Sequence, residues 1–398
     1  MDSSKLRNWL GTASLTLLLA PLCFAQEYIQ TNLVSNVPVT PAAVVTDPNL
    51  QNAWGLVHGP GTPWWISNNA GGTSTLYNTS GLNPLNPSAQ SPTPVLSPVT
   101  IVALNAPGGM PGNGVKIPNA PSQPAPGSPT SAIFNGAASD FLLASGAPAV
   151  FIFVTEDGTV QGWNPSVNAT TAIIKVDNSQ VPNKNKGAVY KGATIAEING
   201  REFLLAANFR SGRIDVFDSN FQQVRISEEL FDDDEIPADF APFNVQGIGP
   251  NIYVTYAKQD AAKHDPVGGA GLGYVAIFSP DGRKLAHLQH GDWFNAPWGV
   301  VLTPADFGEF SHTILVGNFR GGTIAAFNPL TGKFIGNMLD SGGAIVNIDG
   351  LWALVFGNGG ASGPGSTLFF TAGPDNETNG LFGTLTPVTA QLQEDDEQ

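Results

Sequence analysis

The sequence predicts an all-β fold, a six-bladed β-propeller of four-stranded antiparallel blades whose ring is closed by an N-terminal strand. The first observation is a repeated phrase, "FLLAANFRSGRIDVF" at Phe203–Phe217 and "TILVGNFRGGTIAAF" at Thr313–Phe327. The second is that four looser copies give six units, most of them spaced roughly 50 residues apart, as is typical of propeller blades. The third is that no long stretch has helical periodicity, whereas 46 Gly and 32 Pro supply turns.

Each unit divides into four strands, A to D. Its centre is an apolar run, a Gly-rich turn and a second run, the pattern of a β-hairpin formed by strands B and C. The B runs are apolar on consecutive residues, which indicates strands covered by a neighbouring blade on both faces. The A strands are predicted in the segments that begin near Ala53, Ser131, Tyr190, Phe243, Ala296 and Asp349.

The sixth unit lacks an outer strand, because only the acidic segment "QLQEDDEQ" follows "LFGTLTPV". One strand is spare at the other end of the chain, "EYIQTNLVS" at Glu27–Ser35. We expect this strand to pair with the last blade, since closure removes an exposed sheet edge. Two longer gaps between units are interpreted as insertions, a Pro-rich one from about Leu82 to Pro129 and a Gly-rich one from Lys258 to Gly271.

The N-terminus has the pattern of a cleaved signal peptide. Lys5 and Arg7 precede the apolar run "WLGTASLTLLLAPLCFA", which ends at the small residue Ala25. The predicted organisation is therefore a signal peptide at 1–25, one propeller at 26–388 and an acidic tail at 389–398. A Sec-type signal predicts a secreted or periplasmic bacterial protein, and removal of Cys23 leaves a mature chain without disulfides.

The net charge of −15 disfavours nucleic acid and anionic membranes as partners. No later segment has the length of a transmembrane helix, so we expect no membrane span in the mature chain. We expect a monomer that binds a protein or a small-molecule or carbohydrate ligand.

Antiparallel strand order places the D–A and B–C loops on one face, which is the predicted ligand-binding face. The motifs "NAWG", "NAPWG" and "NFR" and the Gly-rich insertion lie there. The candidate ligand-binding residues are Asn52, Trp54, Arg210, Asn295, Trp298, Arg320 and His264. Each has a structural alternative: the Trp residues fill the core or ring a channel mouth, and the Arg residues bridge carboxylates or grip an anion. The loop that contains His264 is either a mobile lid over the channel or an irregular insertion without a functional role.

A second set of residues occupies equivalent positions at the ends of B strands. One Glu and three Asn supply the oxygen atoms that Ca²⁺ prefers, but the same residues can cap their own turns. The candidate metal ligands are Asn68, Glu156, Asn208 and Asn318. No G-x-S-x-G, H-E-x-x-H or P-loop motif is present, so the sequence leaves open whether the protein is an enzyme.

The phrases "TDPNLQNAWGL", "FAPFNVQGIGPNIYVTYA" and "NAPWGVVLTPADFGEFSHTILVGNFRGGTIAAFNPLTGKFIG", together with "LLAANFRSGRIDVFD", carry a family resemblance. The chain resembles a family of uncharacterised secreted bacterial six-bladed β-propellers, related in pattern to NHL-repeat propellers. The resemblance implies the propeller and export, and it supplies no activity.

Two functions follow as hypotheses. One is a binding scaffold with no evident cofactor that uses the D–A and B–C face. The alternative is a Ca²⁺-dependent hydrolase, similar to a lactonase or esterase, or a lyase, with its site in the central channel. This hypothesis rests on a resemblance to calcium-dependent lactonases of the same six-bladed shape.

Overall fold

The computed structural model describes residues 27–82, 100–101, 114–227 and 229–388. Six antiparallel sheets form a ring in which the inner strand of each blade contacts the inner strands of both neighbouring blades. The predicted all-β, six-bladed propeller is confirmed. The predicted signal peptide and acidic tail lie outside the described residues.

Each blade runs from inner strand A to outer strand D. Blade 1 comprises Ala53–Val57, Trp64–Asn68, Thr73–Asn78 and a split outer strand, Thr100–Ile101 with Gly114–Lys116. Blade 2 comprises Pro129–Phe134, Phe151–Thr155, Thr159–Trp163 and Ile173–Asp177. Blade 3 comprises Tyr190–Ile198, Arg201–Asn208, Arg213–Asp218 and Gln223–Val224. Blade 4 comprises Phe240–Ile248, Asn251–Lys258, Tyr274–Phe278 and Lys284–His287. Blade 5 comprises Pro297–Leu302, Ile314–Asn318, Ile324–Phe327 and Phe334–Asn337. Blade 6 comprises Leu351–Phe356, Leu368–Ala372, Leu381–Pro387 and the N-terminal Glu27–Ser35.

The remaining elements are short. Val45–Thr46 and Leu339–Asp340 pair in parallel with the N-terminal strand, and Leu142–Ala144 pairs with Ala147–Pro148. The helical turns are Gly308–Phe310 and Pro374–Glu377. Within the described part of the chain, no helix has the length and apolar character needed to span a membrane.

The N-terminal strand closes the ring as predicted. It pairs antiparallel with strand C of blade 6, from Tyr28 opposite Pro387 to Ser35 opposite Leu381. Tyr28 is fully buried, and its hydroxyl donates a 2.9 Å hydrogen bond to the carbonyl of Phe307 in blade 5. The closing strand Glu27–Ser35 therefore contacts both blade 5 and blade 6.

The outer strand of blade 1 is a difference from the sequence prediction. It lies inside the Pro-rich segment that we interpreted as an insertion, with Gly114–Lys116 paired to Thr73–Thr75. Only three residues pair there, and a run this short has no periodicity that the sequence could reveal.

The B strands show why their apolar residues are consecutive. All five residues are buried in Trp64–Asn68, Phe151–Thr155, Ile314–Asn318 and Leu368–Ala372. Adjacent blades cover both faces of these strands, so a polar residue on either face would be removed from water.

Candidate functional site

One end of the propeller axis is filled by a layer of aromatic side chains. Trp352 lies at its centre and stacks on Trp54 with ring centroids 3.6 Å apart and on Phe319 at 3.8 Å. Trp298, Phe209 and Phe243 complete the layer, and all six rings are buried. Of the two interpretations of the tryptophans, the structure therefore supports core packing, because no ring is open to a sugar.

A buried ammonium group lies against this aromatic layer. Lys191, at the start of strand A in blade 3, has a side chain with 0% exposure, and its Nζ is 5.2 Å from the centre of the Trp54 ring. Nζ contacts Glu156 Oε1 and lies 3.3 Å from Asp265 Oδ1. Burial opposes the charge of Lys191, but the two carboxylates outweigh it and raise its pKa, so the ammonium form persists at neutral pH.

A chain of amides connects this ion pair to a further carboxylate. Asn69 Nδ2 donates to Glu156 Oε2 at 2.7 Å, and Asn52 Nδ2 donates to Asn69 Oδ1 at 3.3 Å and to Glu377 Oε2 at 3.1 Å. Trp352 Nε1 fixes the orientation of Asn52 by donating to its Oδ1 at 3.1 Å. The backbone of Asn52 has φ 46°, a left-handed conformation that asparagine tolerates.

Glu377 is the least satisfied carboxylate of this group. Burial, and then the charge of Glu156, raise its pKa, while Lys191 and Arg320 act in the opposite direction. Arg320 Nη2 is 4.0 Å from Glu377 Oε1, too far for a hydrogen bond, and its guanidinium lies over the Phe319 ring.

Asp265 is the most exposed acid of the group, with 57% of its side chain accessible. His264 Nδ1 lies 3.0 Å from Asp265 Oδ1. The hydrogen bond from His264, and then the charge of Lys191, hold the pKa of Asp265 far below its usual range despite partial burial. This carboxylate is therefore ionised at any physiological pH.

These residues constitute what we call the axial cluster, and every blade contributes to it. Its members are Asn52 and Asn69 from blade 1, Glu156 from blade 2, Lys191 from blade 3, His264 and Asp265 from blade 4, Arg320 from blade 5 and Glu377 from blade 6.

The structure brings most of the predicted ligand-binding residues to this place. Asn52, Arg320 and His264 belong to the axial cluster, and Trp54 and Trp298 to the aromatic layer beneath it. Asn295 lies beside them, where its Oδ1 accepts the N–H of Gly269 at 2.7 Å and anchors the Gly-rich insertion. Arg210 is not part of the cluster, because its guanidinium donates to the carbonyl of Gly187 at 2.9 Å.

The four predicted metal ligands do not converge. Three of the amides are engaged in their own turns: Asn68 donates to Thr73 and Thr75, Asn208 to Asp215, and Asn318 to Thr323 and the carbonyl of Trp293. Each hairpin supplies an acceptor within seven residues, which favours the turn-cap interpretation. Of the four, Glu156 alone reaches the axial cluster.

Among the described residues, two groups of acidic and histidine side chains have ligand atoms that lie within 4.8 Å of one another inside each group. One group is Glu156, His264 and Asp265, and the other is Asp233, Glu235 and His287. The first group lies in the axial cluster. There Lys191 and Asn69 occupy both oxygens of Glu156, and Lys191 also approaches Asp265. A divalent cation at this point would face a charged ammonium group, so these residues do not fit one while Lys191 is protonated.

The central channel itself contains a cavity of about 240 Å³ lined by the A strands. Its polar lining includes His58, Thr194, Asn244 and Gln246, and the described lining residues include no Asp or Glu. Among the described residues, this cavity therefore offers no carboxylate for the calcium site that the alternative hypothesis requires.

Lys191, Asn69 and Glu377 were not singled out from the sequence. Lys191 carries a usable signal, since "YKGATIAE" places a lysine near the start of a predicted buried strand. Glu377 carries none, because it lies in the polar turn "PDNETN" and reaches the axis through left-handed backbone at three successive residues.

No family model matches the chain. Three uncharacterised proteins of Acanthamoeba polyphaga mimivirus are similar in sequence. R648 is 31% identical over 361 residues, which cover 89% of this chain and 78% of that protein. L690 is 29% identical over 370 residues, which cover 89% and 84%. R640 is 32% identical over 267 residues, and the chain spans about half its length, 48%. These relatives are viral and lend no support to a bacterial, secreted family.

Solved structures with related architecture include a gluconolactonase from Xanthomonas campestris, with a TM-score of 0.34 and 16% identity, covering 60% of this chain and 82% of that one. A streptogramin B lyase has a TM-score of 0.46 and 9% identity, covering 91% and 98%. An auxiliary nutrient binding protein from Bacteroides thetaiotaomicron has a TM-score of 0.45 and 10% identity, covering 91% and 77%. Likenesses at this level carry no argument about activity.

Proposed function

This chain belongs to the family of the mimivirus protein R648, and from that premise and its own geometry we propose that it is a binding propeller whose axial cluster takes a polar ligand bearing a positively charged group. One observation carries the proposal. Loops and strand ends from all six blades meet in a single cluster of charged and amide side chains at one end of the axis. Ligand sites in many folds form where loops from several elements converge on a rigid scaffold.

The carboxylate of the central ion pair departs from the pattern of the equivalent turns in blades 1, 3 and 5. The equivalent B–C turns of blades 1, 3 and 5 carry an asparagine that satisfies its own hairpin, whereas blade 2 carries Glu156. Burying Lys191 and Glu156 costs several kcal/mol of desolvation per ion, which their attraction at best offsets. Because the pair adds little stability, we infer that it serves to hold the charges of the axial cluster in fixed positions.

The charge balance indicates the kind of ligand. The cluster contains three carboxylates and two permanent cations, of which Lys191 faces inward and is fully buried. The charged groups that solvent reaches are Asp265 and, in part, Glu377 and Arg320, and the imidazole of His264 is also partly exposed. Burial and the charge of Glu156 raise the pKa of Glu377 although Arg320 Nη2 lies 4.0 Å from its Oε1, so an ammonium or guanidinium group of the ligand at hydrogen-bond distance would stabilise its ionised form.

The proposal is tested by calorimetry with spermidine as a cationic probe, glucose as a neutral probe and citrate as an anionic probe. We expect spermidine to bind the wild type. Asp265→Asn should weaken its binding about tenfold, as loss of one charge-assisted hydrogen bond does. Asp239→Asn is the matched control, because Asp239 is 54% exposed and pairs with Lys258 at 3.1 Å but lies outside the axial cluster. Binding of citrate instead of spermidine, or equal losses in the two variants, would contradict the proposal.

Metal-dependent hydrolysis is the second candidate function, favoured by the closeness of the ligand atoms of Glu156, His264 and Asp265. The ammonium of Lys191 opposes it. Elemental analysis of protein purified without chelator separates the two. A stoichiometric divalent ion that is absent from Glu156→Ala would favour the hydrolase and justify a panel of lactones and esters, with Ca²⁺ the first ion to supply. Retention of the ion in Glu156→Ala would exclude this group as its site.

Export is a separate proposal that rests on the N-terminal pattern alone. N-terminal sequencing of protein recovered from the periplasm or medium of an expressing bacterium should begin at Gln26. Protein that stays in the cytoplasm with Met1 intact would contradict it.

A further inference from the structure

A second charged cluster lies away from the axis, at the outer edge of blade 4. The connection from blade 3 to blade 4 brings Asp233 and Glu235 against the outer strand Lys284–His287. Lys284 Nζ donates to Asp233 Oδ1 and, at 2.7 Å, to Glu235 Oε1. The lysine therefore uses one oxygen of each carboxylate.

The other oxygens face a histidine. His287 Nδ1 lies 3.9 Å from Asp233 Oδ2 and 3.8 Å from Glu235 Oε2. All three ligand atoms fall within 4.8 Å of one another. This differs from the axial cluster, where Asn69 and Lys191 engage both oxygens of Glu156.

Asp233 provides a second, independent observation, an unpartnered buried oxygen. Its side chain is completely buried, and its Oδ2 has no hydrogen-bond partner among the described residues. Its Oδ1, by contrast, accepts from Lys284 and from the backbone N–H of Glu235 at 3.0 Å. A buried carboxylate oxygen without a partner is costly, and a cation coordinated to it would remove that cost.

We propose that Asp233, Glu235 and His287 bind a first-row divalent transition metal of the Zn²⁺ type, with water completing the coordination. Ligand distances of 2.0–2.2 Å place two ligands of a tetrahedral Zn²⁺ about 3.4 Å apart. The two separations between His287 and the carboxylates, 3.8 and 3.9 Å, exceed this by about 0.5 Å. Small rotations of the exposed side chains of Glu235 and His287 would close that gap. A nitrogen ligand and only two carboxylates favour zinc over calcium, which needs six or more oxygens.

Lys284 is compatible with the metal because it lies on the opposite oxygens. The bound ion would fasten the blade 3 to blade 4 connection to the outer strand of blade 4, and the expected role is structural.

The test is calorimetric titration of ZnCl₂ into the chelator-treated full chain. We expect one equivalent to bind and to raise the unfolding temperature. His287→Ala should weaken this binding at least tenfold, and Glu235→Gln should weaken it without disturbing the buried Asp233. His264→Ala is the matched control, because it removes the histidine of the axial group, which also contains two carboxylates. His290→Ala is a second control, because His290 is three residues from His287 in the sequence and belongs to neither group. We expect both controls to bind zinc like the wild type. A wild type that takes up no zinc, unchanged affinity in His287→Ala, or loss of binding in His264→Ala alone would overturn the assignment.

Discussion

Replacing Lys191 with methionine tests the central feature of the axial cluster. The substitution keeps the length of an apolar side chain against Trp54 and removes the ammonium. It leaves Glu156, whose side chain is only 12% exposed, without a cation. Removing one partner of a buried ion pair costs about 3–5 kcal/mol. About 2.1 cal/mol/K of unfolding entropy per residue over roughly 360 residues gives about 1.3 °C per kcal/mol, so the unfolding temperature should fall by about 4–7 °C.

A double variant identifies the cause of the loss. In Lys191→Met/Glu156→Gln the uncompensated carboxylate is gone, and the amide oxygen still accepts the N–H of Asn69. We expect the double variant to recover more than half of the lost stability in urea unfolding at pH 7. Asp265 remains ionised but is exposed enough to be hydrated.

The pH dependence follows from the direction of the pKa shift. The pKa of Lys191 is raised on folding, so its contribution is complete below the ordinary lysine pKa of about 10.4 and is lost only as the pH rises through the higher folded value. The difference between the wild type and the double variant Lys191→Met/Glu156→Gln, which contains no uncompensated buried carboxylate, should therefore be constant from pH 6 to 9. A single variant as stable as the wild type, or a double variant no more stable than the single, would refute the reasoning.

Two further predictions concern ring closure and Glu377. Leu33→Ala in the closing strand removes a fully buried side chain and should cost about 2–5 kcal/mol, whereas Leu330→Ala, at a site 93% exposed, should cost almost nothing. Equal urea midpoints for these two variants would contradict the closure. Glu377→Gln should raise the unfolding temperature at pH 7, because a raised carboxyl pKa destabilises the folded state once the group ionises. The gain should vanish as the pH falls below about 4, and a gain that persists in acid would show that burial of the charge is not its cause.

The fold was predicted from short sequence patterns, each of which involves only a few neighbouring residues. The repeated "NFR" hairpins, the consecutive apolar residues of strands such as Ile314–Asn318, and the spare strand Glu27–Ser35 were sufficient to predict six blades and their closure. The split outer strand of blade 1 was missed, since Gly114–Lys116 is too short to show a period.

The face of the propeller that carries the axial cluster was also predictable, because antiparallel order alone decides on which side each loop emerges. The sequence did not predict which side chains meet on that face. Asn208 and Asn318 lie at equivalent positions at the ends of B strands, as the members of a metal-ligand set would. Their side-chain amides nevertheless form hydrogen bonds within their own hairpins. Side-chain direction at a strand end reverses with a slip of one residue, which no pattern in the sequence reports.

The sequence by itself determined the β content, the sixfold repeat, the closing strand and the acidic character of the chain, since each depends on composition or on local periodicity. Only the tertiary structure decided that Lys191, Glu156 and Glu377 meet at the axis and that Asp233 lies beside His287. The residues of the axial cluster come from different blades, and the closure of the ring sets the distances between them, whereas Asp233 meets His287 because the connection that enters blade 4 packs on the outer strand of that blade. Closure is a property of all six blades together, so no local stretch of sequence contains it.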